Sequence, residues 1–288
     1  MKKSILNLTS MKKILMLVGL SFVFTLYSCE DNEDAIVNPE TELEETAFAE
    51  NVFTEIAFDI DEAIDIEGMD NGRFGRGFQD CATRDLEEPE DGGFPKVVTV
   101  DFGDGCENGK GMIRSGKMIL TITGPRGEVG SQVIQTFENL YVNDYLIEGT
   151  RTRTIESETV RTTVLEGGKI TTPEGEVISR TASRRFEMVA GYGTVDRSDD
   201  MFEITGSASG ITPAGANYTK EITTPLVRSF GCPWITAGVI ETTLDGASRS
   251  LDFGDGECDN VATLTTEEGT EEITMDFRIK RRFKHRKG

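Results

Sequence analysis

Histidine is almost missing from this sequence, because the single copy is His285 in the basic C-terminal stretch. Ser-His-Asp and Cys-His mechanisms need an imidazole base, and histidine-rich metal sites need several imidazoles. Both are therefore excluded for the rest of the chain. Residues 206–210 (GSASG) resemble a nucleophile motif but have alanine at the position of the nucleophile.

Glycine loops of the dinucleotide-binding and phosphate-binding types are missing as well. We therefore expect no cofactor and no enzymatic activity. A pair of carboxylates of the glycosidase type stays open as the alternative, because the chain contains 51 Asp and Glu residues and no pattern singles out two of them.

Positive charge is scarce outside the C-terminus. The chain has 30 Lys and Arg against 51 Asp and Glu, which gives a formal net charge of −21. Many of the basic residues are concentrated in the final segment, RIKRRFKHRKG. A chain with this much negative charge repels nucleic acid, and we therefore expect no nucleic-acid partner. Residues 280–288 are predicted to be a basic tail, and the composition does not indicate an oligomeric state.

Long apolar runs are missing except at the N-terminus, where Lys12 and Lys13 precede ILMLVGLSFVF. This run is too short for a membrane-spanning helix and is typical of a cleaved signal peptide, which we place at residues 1–28. The segment that ends at Cys29 (LYSC) resembles a bacterial lipobox. That resemblance implies that Cys29 is acylated and attaches the mature protein to a membrane.

Residues 29–46 begin with an acidic cluster, EDNED, and continue with Pro, Glu and Thr. This composition cannot bury a core, so we predict an acidic disordered tether. An acidic cluster directly after a lipidated cysteine resembles the surface-export signal of Bacteroidota lipoproteins. We therefore expect the protein on the outer membrane at the cell surface, with the periplasmic face as the alternative.

Apolar residues recur at three- and four-residue steps over residues 47–66, which predicts one amphipathic helix. Residues 78–279 are predicted to form a single β-rich domain, because runs rich in Thr, Val and Ile are cut by Gly, Pro, Asn and Asp. Twelve strands are expected, at 96–102, 112–124, 131–142, 145–156, 159–166, 175–189, 200–210, 217–224, 235–243, 247–252, 261–266 and 270–279.

Short Gly- and Asn-containing links between these strands predict hairpins, including EGG at 166–168 and PEG at 173–175. The predicted fold is therefore all-β: an antiparallel meander curled into a barrel, a half-barrel or a sandwich, with the helix beside it. The alternation TRTRTI at 150–155 indicates a strand with one face in water, and it would hinder edge-to-edge pairing if the strand is exposed.

Four cysteines follow Cys29, and an even number in an exported chain indicates disulfides. Cys81 lies 25 residues before Cys106, and Cys232 lies 26 residues before Cys258. Three pairings are open, and the matched spacing favours Cys81–Cys106 and Cys232–Cys258. A zinc site is disfavoured because the chain has no CxxC pair.

The pentapeptide DFGDG occurs twice, at 101–105 and 252–256, each time close to a cysteine. It resembles the core motif of the PKD domain, but the rest of the PKD pattern is missing. The kinase DFG motif and the EF-hand loop both require surroundings that this chain does not have. We interpret DFGDG as a turn that ends a strand, with a weak calcium site as the alternative, its candidate ligands being Asp101, Asp104, Asp252, Asp255 and Asp259.

Several longer segments resemble uncharacterised outer-membrane lipoproteins of Bacteroidota, among them VTVDFGDGC, FENLYVNDYLIEGTRT, DDMFEITGSASG and ITTPLVRSFGCPWITAGVIE. The resemblance implies location and architecture, without an activity. We expect a non-enzymatic binding or structural module on the outer membrane. The alternatives are a half-barrel that carries an apolar ligand, with a small-molecule ligand inside, and a glycan-binding surface lipoprotein that uses Trp234 or exposed tyrosines.

The lipobox predicts that Cys29→Ser releases the protein from membranes, because each buried CH₂ of an acyl chain contributes about 0.8 kcal/mol to anchoring. Partition into a detergent phase and the mass of the mature N-terminus measure this. Ser28→Ala keeps a small residue before the cysteine and should retain the lipid. A Cys29→Ser protein that still partitions into detergent would contradict the assignment.

Overall fold

The structure is a computed structural model that describes most of the chain after residue 80. The described residues are 81–107, 112–194, 197–229, 231, 232 and 234–275, together with Thr46, Ala49, Val52, Phe53 and Ile56. All of them belong to one compact unit, Val37–Gly288. The predicted signal peptide, Cys29 and the basic tail at 280–288 lie outside the described residues, as does the predicted tether except for Thr46.

Fourteen strands make up the described β domain, and we number them in chain order. They are β1 Thr83–Glu87, β2 Lys96–Asp101, β3 Cys106–Glu107, β4 Ile113–Ile122, β5 Gln132–Val142, β6 Tyr145–Ile155, β7 Val160–Thr171, β8 Val177–Ala190, β9 Met201–Ile211, β10 Asn217–Ser229, β11 Ile235–Leu244, β12 Ala247–Asp255, β13 Val261–Thr266 and β14 Gly269–Thr274.

All strands belong to one antiparallel sheet in the order β1-β2-β4-β5-β6-β7-β8-β9-β10-β11-β12-β13-β14, and β3 pairs with β4. Chain neighbours are sheet neighbours because tight turns connect them. Asn143 and Asp144 both have positive φ between β5 and β6, and so do Asp245 and Gly246 between β11 and β12. Two such residues form the turn whose twist matches that of a two-stranded hairpin.

The predicted all-β meander is confirmed, and each of the twelve expected strands has a counterpart. The sheet is not closed, since β1 and β14 are its two edges in the described part of the chain. A half-barrel or a sandwich therefore fits, and the closed barrel does not. Strands β1 and β3 were not predicted, because β1 is a short polar segment (TRDLE) and β3 has two residues.

Two predicted strand ends are wrong, and β-bulges explain both. EGG at 166–168 is not a hairpin: β7 continues to Thr171, and its register with β8 shifts between Leu165 and Gly168. β10 does not end before Pro225 but runs to Ser229, with register shifts towards β11 on both sides of the proline. A bulge accommodates glycine or proline inside a strand without ending the strand.

Five residues at the predicted N-terminal helix have helical conformation and are buried: Thr46, Ala49, Val52, Phe53 and Ile56. All but Thr46 pack in the same apolar cluster as buried side chains of β2–β8. The buried Gln135 of β5 donates a hydrogen bond from Nε2 to the carbonyl oxygen of Ile56, at 3.4 Å. The other positions of 47–66 lie outside the described residues.

No helix among the described residues is long and apolar enough to cross a membrane.

Close approach of β9 to β8 depends on Gly210, whose backbone faces Ser179. A Cβ atom at Gly210 would overlap the carbonyl oxygen of Ser179 and lie 2.7 Å from the hydroxyl oxygen of Tyr218. That hydroxyl donates a hydrogen bond to the same carbonyl at 3.0 Å. Gly210, Ser179 and Tyr218 are therefore already in close contact, and there is no room for a Cβ atom at Gly210.

We predict that Gly210→Ala lowers the free energy of unfolding by about 2 kcal/mol, because overpacking of a tight site costs about 1–3 kcal/mol. Gly105→Ala is the matched control, since its Cβ would lie 3.7 Å from the nearest heavy atom, Cγ2 of Ile113. Chemical denaturation measures both. Equal effects of the two substitutions would show that the contact at Gly210 is unimportant.

Candidate functional site

The four cysteines lie at disulfide distance in the pairs that their spacing predicts. The Sγ atoms are 1.98 Å apart in Cys81–Cys106 and 2.03 Å apart in Cys232–Cys258. Each pair brackets two paired strands, β1 and β2 in the first case and β11 and β12 in the second. The second strand of each bracketed pair carries DFGDG. The repeat is therefore one strand-pair unit used near both edges of the sheet.

The aspartate that opens each DFGDG accepts a backbone hydrogen bond two residues further on. Oδ1 of Asp101 accepts from Gly103 N at 2.8 Å, and Oδ1 of Asp252 accepts from Gly254 N at 2.9 Å. Both glycines have positive φ, 59° and 90°. This is the local geometry of an aspartate turn, in which glycine adopts the backbone conformation that other residues avoid.

The two copies differ in one respect that the sequence did not predict. The first ends β2 at Asp101, as expected. In the second copy the strand ends three residues later in the motif, because β12 continues to Asp255, which pairs with Ala237 of β11. Within the described ranges, no three acidic, cysteine or histidine side chains converge as a metal site. The structure thus assigns Asp101 and Asp252 a role in the backbone turn.

The main candidate site is a whole face of the sheet, and the pairing of strands defines it. Residues directly opposite each other in antiparallel strands lie on the same side, and neighbours along a strand alternate. We call the side that carries the buried Val98, Met118 and Leu120 face A, and the other side face B. Following the pairs from strand to strand assigns a face to each charged residue.

Basic residues of the described strands β4–β12 are concentrated on face A. They are Arg114, Arg151, Arg153, Arg161, Arg180, Arg184, Lys220, Arg228 and Arg249. Three of these are nearly inaccessible to water: Arg114 is 1% exposed, Arg180 3% and Lys220 8%. Only Lys117, Lys169 and Arg185 among the basic residues of these strands lie on face B.

Acidic residues of the same strands lie on the opposite side. Face B carries Glu138, Glu148, Glu166, Glu187, Glu203, Glu221, Glu241 and Asp252, and Asp255 pairs there at the end of β12. The sheet therefore separates charge by face. Although the chain has a net charge of −21, most basic residues of these strands lie on the side of the sheet that carries the core.

The alternation TRTRTI does not mark an edge strand. β6 lies in the interior of the sheet between β5 and β7, and its arginines are on the core side. Arg151 pairs with the buried Gln135, and Arg153 pairs with Val133. Both sides of β6 are partly exposed over residues 150–155, and the arginines belong to face A.

Face A has a second apolar cluster, on the C-terminal half of the sheet. We call it the apolar floor, and it consists of Ile204, Ile222, Leu226, Phe253 and Ala262. Partly buried side chains of β8, β11, β12 and β14 pack against it, among them Phe186 and Ile240. The described helical residues belong to the other cluster and not to this one.

Basic residues of face A flank the apolar floor on both sides. Along β10, Lys220 precedes Ile222, and Arg228 follows Leu226. Arg249 of β12 lies in the same cross-strand row as Lys220, through Thr242 of β11. The floor is thus apolar in the centre and positively charged at its two ends.

Aromatic rings and burial define the environment of the basic groups at the Arg228 end. The Arg161 guanidinium lies 5.0 Å from the ring centre of Phe186 and 5.3 Å from that of Phe202. Phe202 pairs directly with Arg228. Burial lowers the pKa of Arg228 below its usual value, because desolvation disfavours the charged form. Charges in such surroundings interact more strongly with an anion than they would in water.

The aromatic residues considered for glycan binding belong to different strands and loops and differ in exposure. Tyr141 in β5 and Tyr192 after β8 are exposed, whereas Tyr218 is buried and Trp234 is partly buried. The hydroxyl of Tyr192 donates to Glu158 Oε2 at 2.7 Å, and this bond raises the tyrosine's pKa. In GSASG, Ser209 faces Thr181, with their hydroxyl oxygens 3.0 Å apart.

No protein-family model, no curated protein and no solved structure was found to match this chain. Its fold and site define its class by themselves. It is an all-β protein built on one open antiparallel sheet, with two cysteine pairs at disulfide distance and with basic and acidic residues on opposite faces.

We predict that Asp101→Ala and Asp252→Ala each lower the free energy of unfolding by about 1 kcal/mol, the usual contribution of one hydrogen bond. Thermal unfolding with and without millimolar CaCl₂ measures this and also tests the calcium alternative. Calcium should leave the Tm of the wild type unchanged. A calcium-dependent rise of Tm that both substitutions abolish would instead establish a cation site.

Proposed function

We propose that this protein is a lipid-anchored, non-enzymatic binding protein of the outer membrane that holds an anionic amphiphile on face A. The lipid on Cys29 attaches the chain to the membrane, facing the cell surface. The hydrocarbon part of the ligand packs beside the apolar floor, against the partly buried side chains that surround it, such as Phe186 and Ile240. Arg161 and Arg228 bind its anionic head group. This is the ligand-carrying alternative predicted from sequence, now with a defined ligand class.

The observation that carries this proposal is the combination of an apolar floor with basic ends in an acidic protein. Binding sites for small molecules are mostly apolar, with a few polar groups that orient the ligand. From β9 to β13 the floor spans four strand spacings, roughly 19 Å. That length suits one extended acyl chain, and burial stabilises each CH₂ by about 0.8 kcal/mol.

Charge complementarity selects an anion for the head group. Strands β4–β12 place their acidic residues on face B, so a carboxylate on face A meets no acidic residue from these strands. Arginine presents several donors in a planar arrangement that matches carboxylate and phosphate oxygens. A neutral amphiphile of the same chain length makes the apolar contact but does not form charged hydrogen bonds with the arginines.

The test compares palmitate with monopalmitoylglycerol by calorimetric titration of the purified protein, supported by native mass spectrometry. Arg161→Gln and Arg228→Gln should each weaken palmitate binding about tenfold or more, because a hydrogen bond to a charged group contributes about 1.5–3 kcal/mol. Monopalmitoylglycerol binding should change less than about twofold. Arg161→Lys keeps the charge and should retain most of the palmitate affinity.

Arg185→Gln is the matched control, since Arg185 lies on face B of β8 next to Arg184 and is exposed. Its ion pair with Glu187, at 2.6 Å, is a surface contact of small energy. Palmitate affinity should stay within about twofold of the wild type. A wild type that does not bind palmitate, or an equal loss in Arg185→Gln, would overturn the proposal.

A further inference from the structure

Face B is acidic, but one end of it carries large apolar side chains that are exposed. They belong to β4, β5, β8 and β9, and their exposed fractions are 43% for Ile113, 39% for Tyr141, 43% for Val177 and 46% for Ile211. Single exposed apolar residues are common on protein surfaces, whereas a contiguous set marks an interaction site. The arrangement of these four side chains therefore decides what they mean.

Strand pairing places two of these side chains in one row across the sheet. Tyr141 pairs with Leu146 of β6, and Leu146 pairs with Thr171 of β7. Thr171 pairs in turn with Val177. Residues that are directly opposite each other in antiparallel strands lie on the same side, so all four residues are on face B.

The other two exposed side chains extend this row at its ends. Ser115 of β4 pairs with Tyr141, and Ile113 lies two residues before Ser115 on the same face. Ile211 pairs with Ser179, which is the next residue of β8 on face B after the member of the row. We call the set the apolar row, and it consists of Ile113, Tyr141, Leu146, Val177 and Ile211. From β4 to β9 the row crosses successive strands over roughly 24 Å.

Carboxylates border the apolar row in the described part of the surface. Glu107 of β3 is exposed and pairs with the β4 member of the row, and Glu148 is exposed on face B of β6. At the adjoining turns, burial and the nearby carboxylates of Glu174 and Asp144 raise the pKa of Tyr145. The electrostatic potential at this end of the sheet is therefore negative.

Lysine side chains of the same face do not reverse this charge. Lys117 pairs with Glu138, and Lys169 pairs with Glu148, so each lies opposite a glutamate. Like charges repel, and neither a second copy of this row nor an anionic membrane complements it. A partner surface that is apolar in the centre and basic at the rim complements it, because opposite charges select the partner around an apolar contact.

We propose that the apolar row is the docking surface for a basic amphipathic helix of a partner protein. Tyr141 is the aromatic anchor, since tyrosine is enriched among the residues that dominate interface energies. A helix rises about 1.5 Å per residue, so about 16 residues cover the row. Lysine and arginine side chains beside the apolar side of that helix reach the bordering carboxylates. The site is on face B and does not depend on the ligand of face A.

Binding of two synthetic helical peptides of this length to the full chain tests the proposal. The first peptide has leucine along one side and lysine on the other, and the second has glutamate in place of each lysine. Fluorescence anisotropy of the labelled peptides measures both affinities. The lysine peptide should bind at least about tenfold more tightly, because like charges across an interface are strongly unfavourable.

A matched pair of substitutions locates the contact. Val177→Thr lies in the apolar row, and Val164→Thr lies outside it on the same face, with a valine that is exposed to a similar extent. Val177→Thr should weaken binding of the lysine peptide about threefold, and Tyr141→Thr about tenfold, because more apolar surface is removed. Val164→Thr should change it by less than about 1.5-fold. Threonine suits a strand, and thermal unfolding verifies that each variant is folded.

The other occupants are outcomes of the same experiments. Equal losses in Val177→Thr and Val164→Thr, equal affinities for the two peptides, or no binding of the lysine peptide would contradict the proposal. Sedimentation of the protein without peptide should show a monomer. A dimer that Tyr141→Thr dissociates would instead assign the apolar row to a second copy. If a variant does not fold, the comparison of the two peptides on the unsubstituted protein decides the matter.

Discussion

The register of the antiparallel sheet is the constraint on which the rest of this structure depends. Side chains alternate between the two faces, so a slip of one residue would move every arginine of a strand to the acidic face and every glutamate to the core. Arg151, Arg153 and Arg184 lie on one side, with Glu148 and Glu187 on the other, because the pairing of β6, β7 and β8 allows one arrangement.

Tight turns, bulges and the cysteine pairs hold this register. The two-residue turns at Asn143-Asp144 and Asp245-Gly246 are too short to let the strands that they connect shift in register. The bulge at 166–167 in β7 adds a residue, and the register beyond it still places Ile170 opposite Ile178 in the core. Each cysteine pair joins the ends of two paired strands. In the chain-entropy model, a crosslink of this loop length stabilises the fold by roughly 3.5 kcal/mol.

Face A combines two properties in this acidic protein. It supplies the apolar core, and it carries most basic residues of the central strands. The described helical residues cover the first apolar cluster, and the second cluster has basic residues at both ends. On such a face, arginine side chains supply several donors in a planar arrangement that matches carboxylate and phosphate oxygens.

Sequence patterns alone determined the all-β class, the twelve main strands, the cysteine pairing and the aspartate turn of DFGDG, because each depends on local composition or spacing. They did not determine where β7 and β10 end, the position of TRTRTI inside the sheet, or the continuation of β12 into the second DFGDG as far as Asp255. These features depend on neighbouring strands, since a bulge can carry glycine or Pro225 through a strand. Part of the separation of charge was present in the spacing of Arg and Glu along single strands, such as Glu148, Arg151 and Arg153 in β6. Only the tertiary pairing decided that all these arginines share one face.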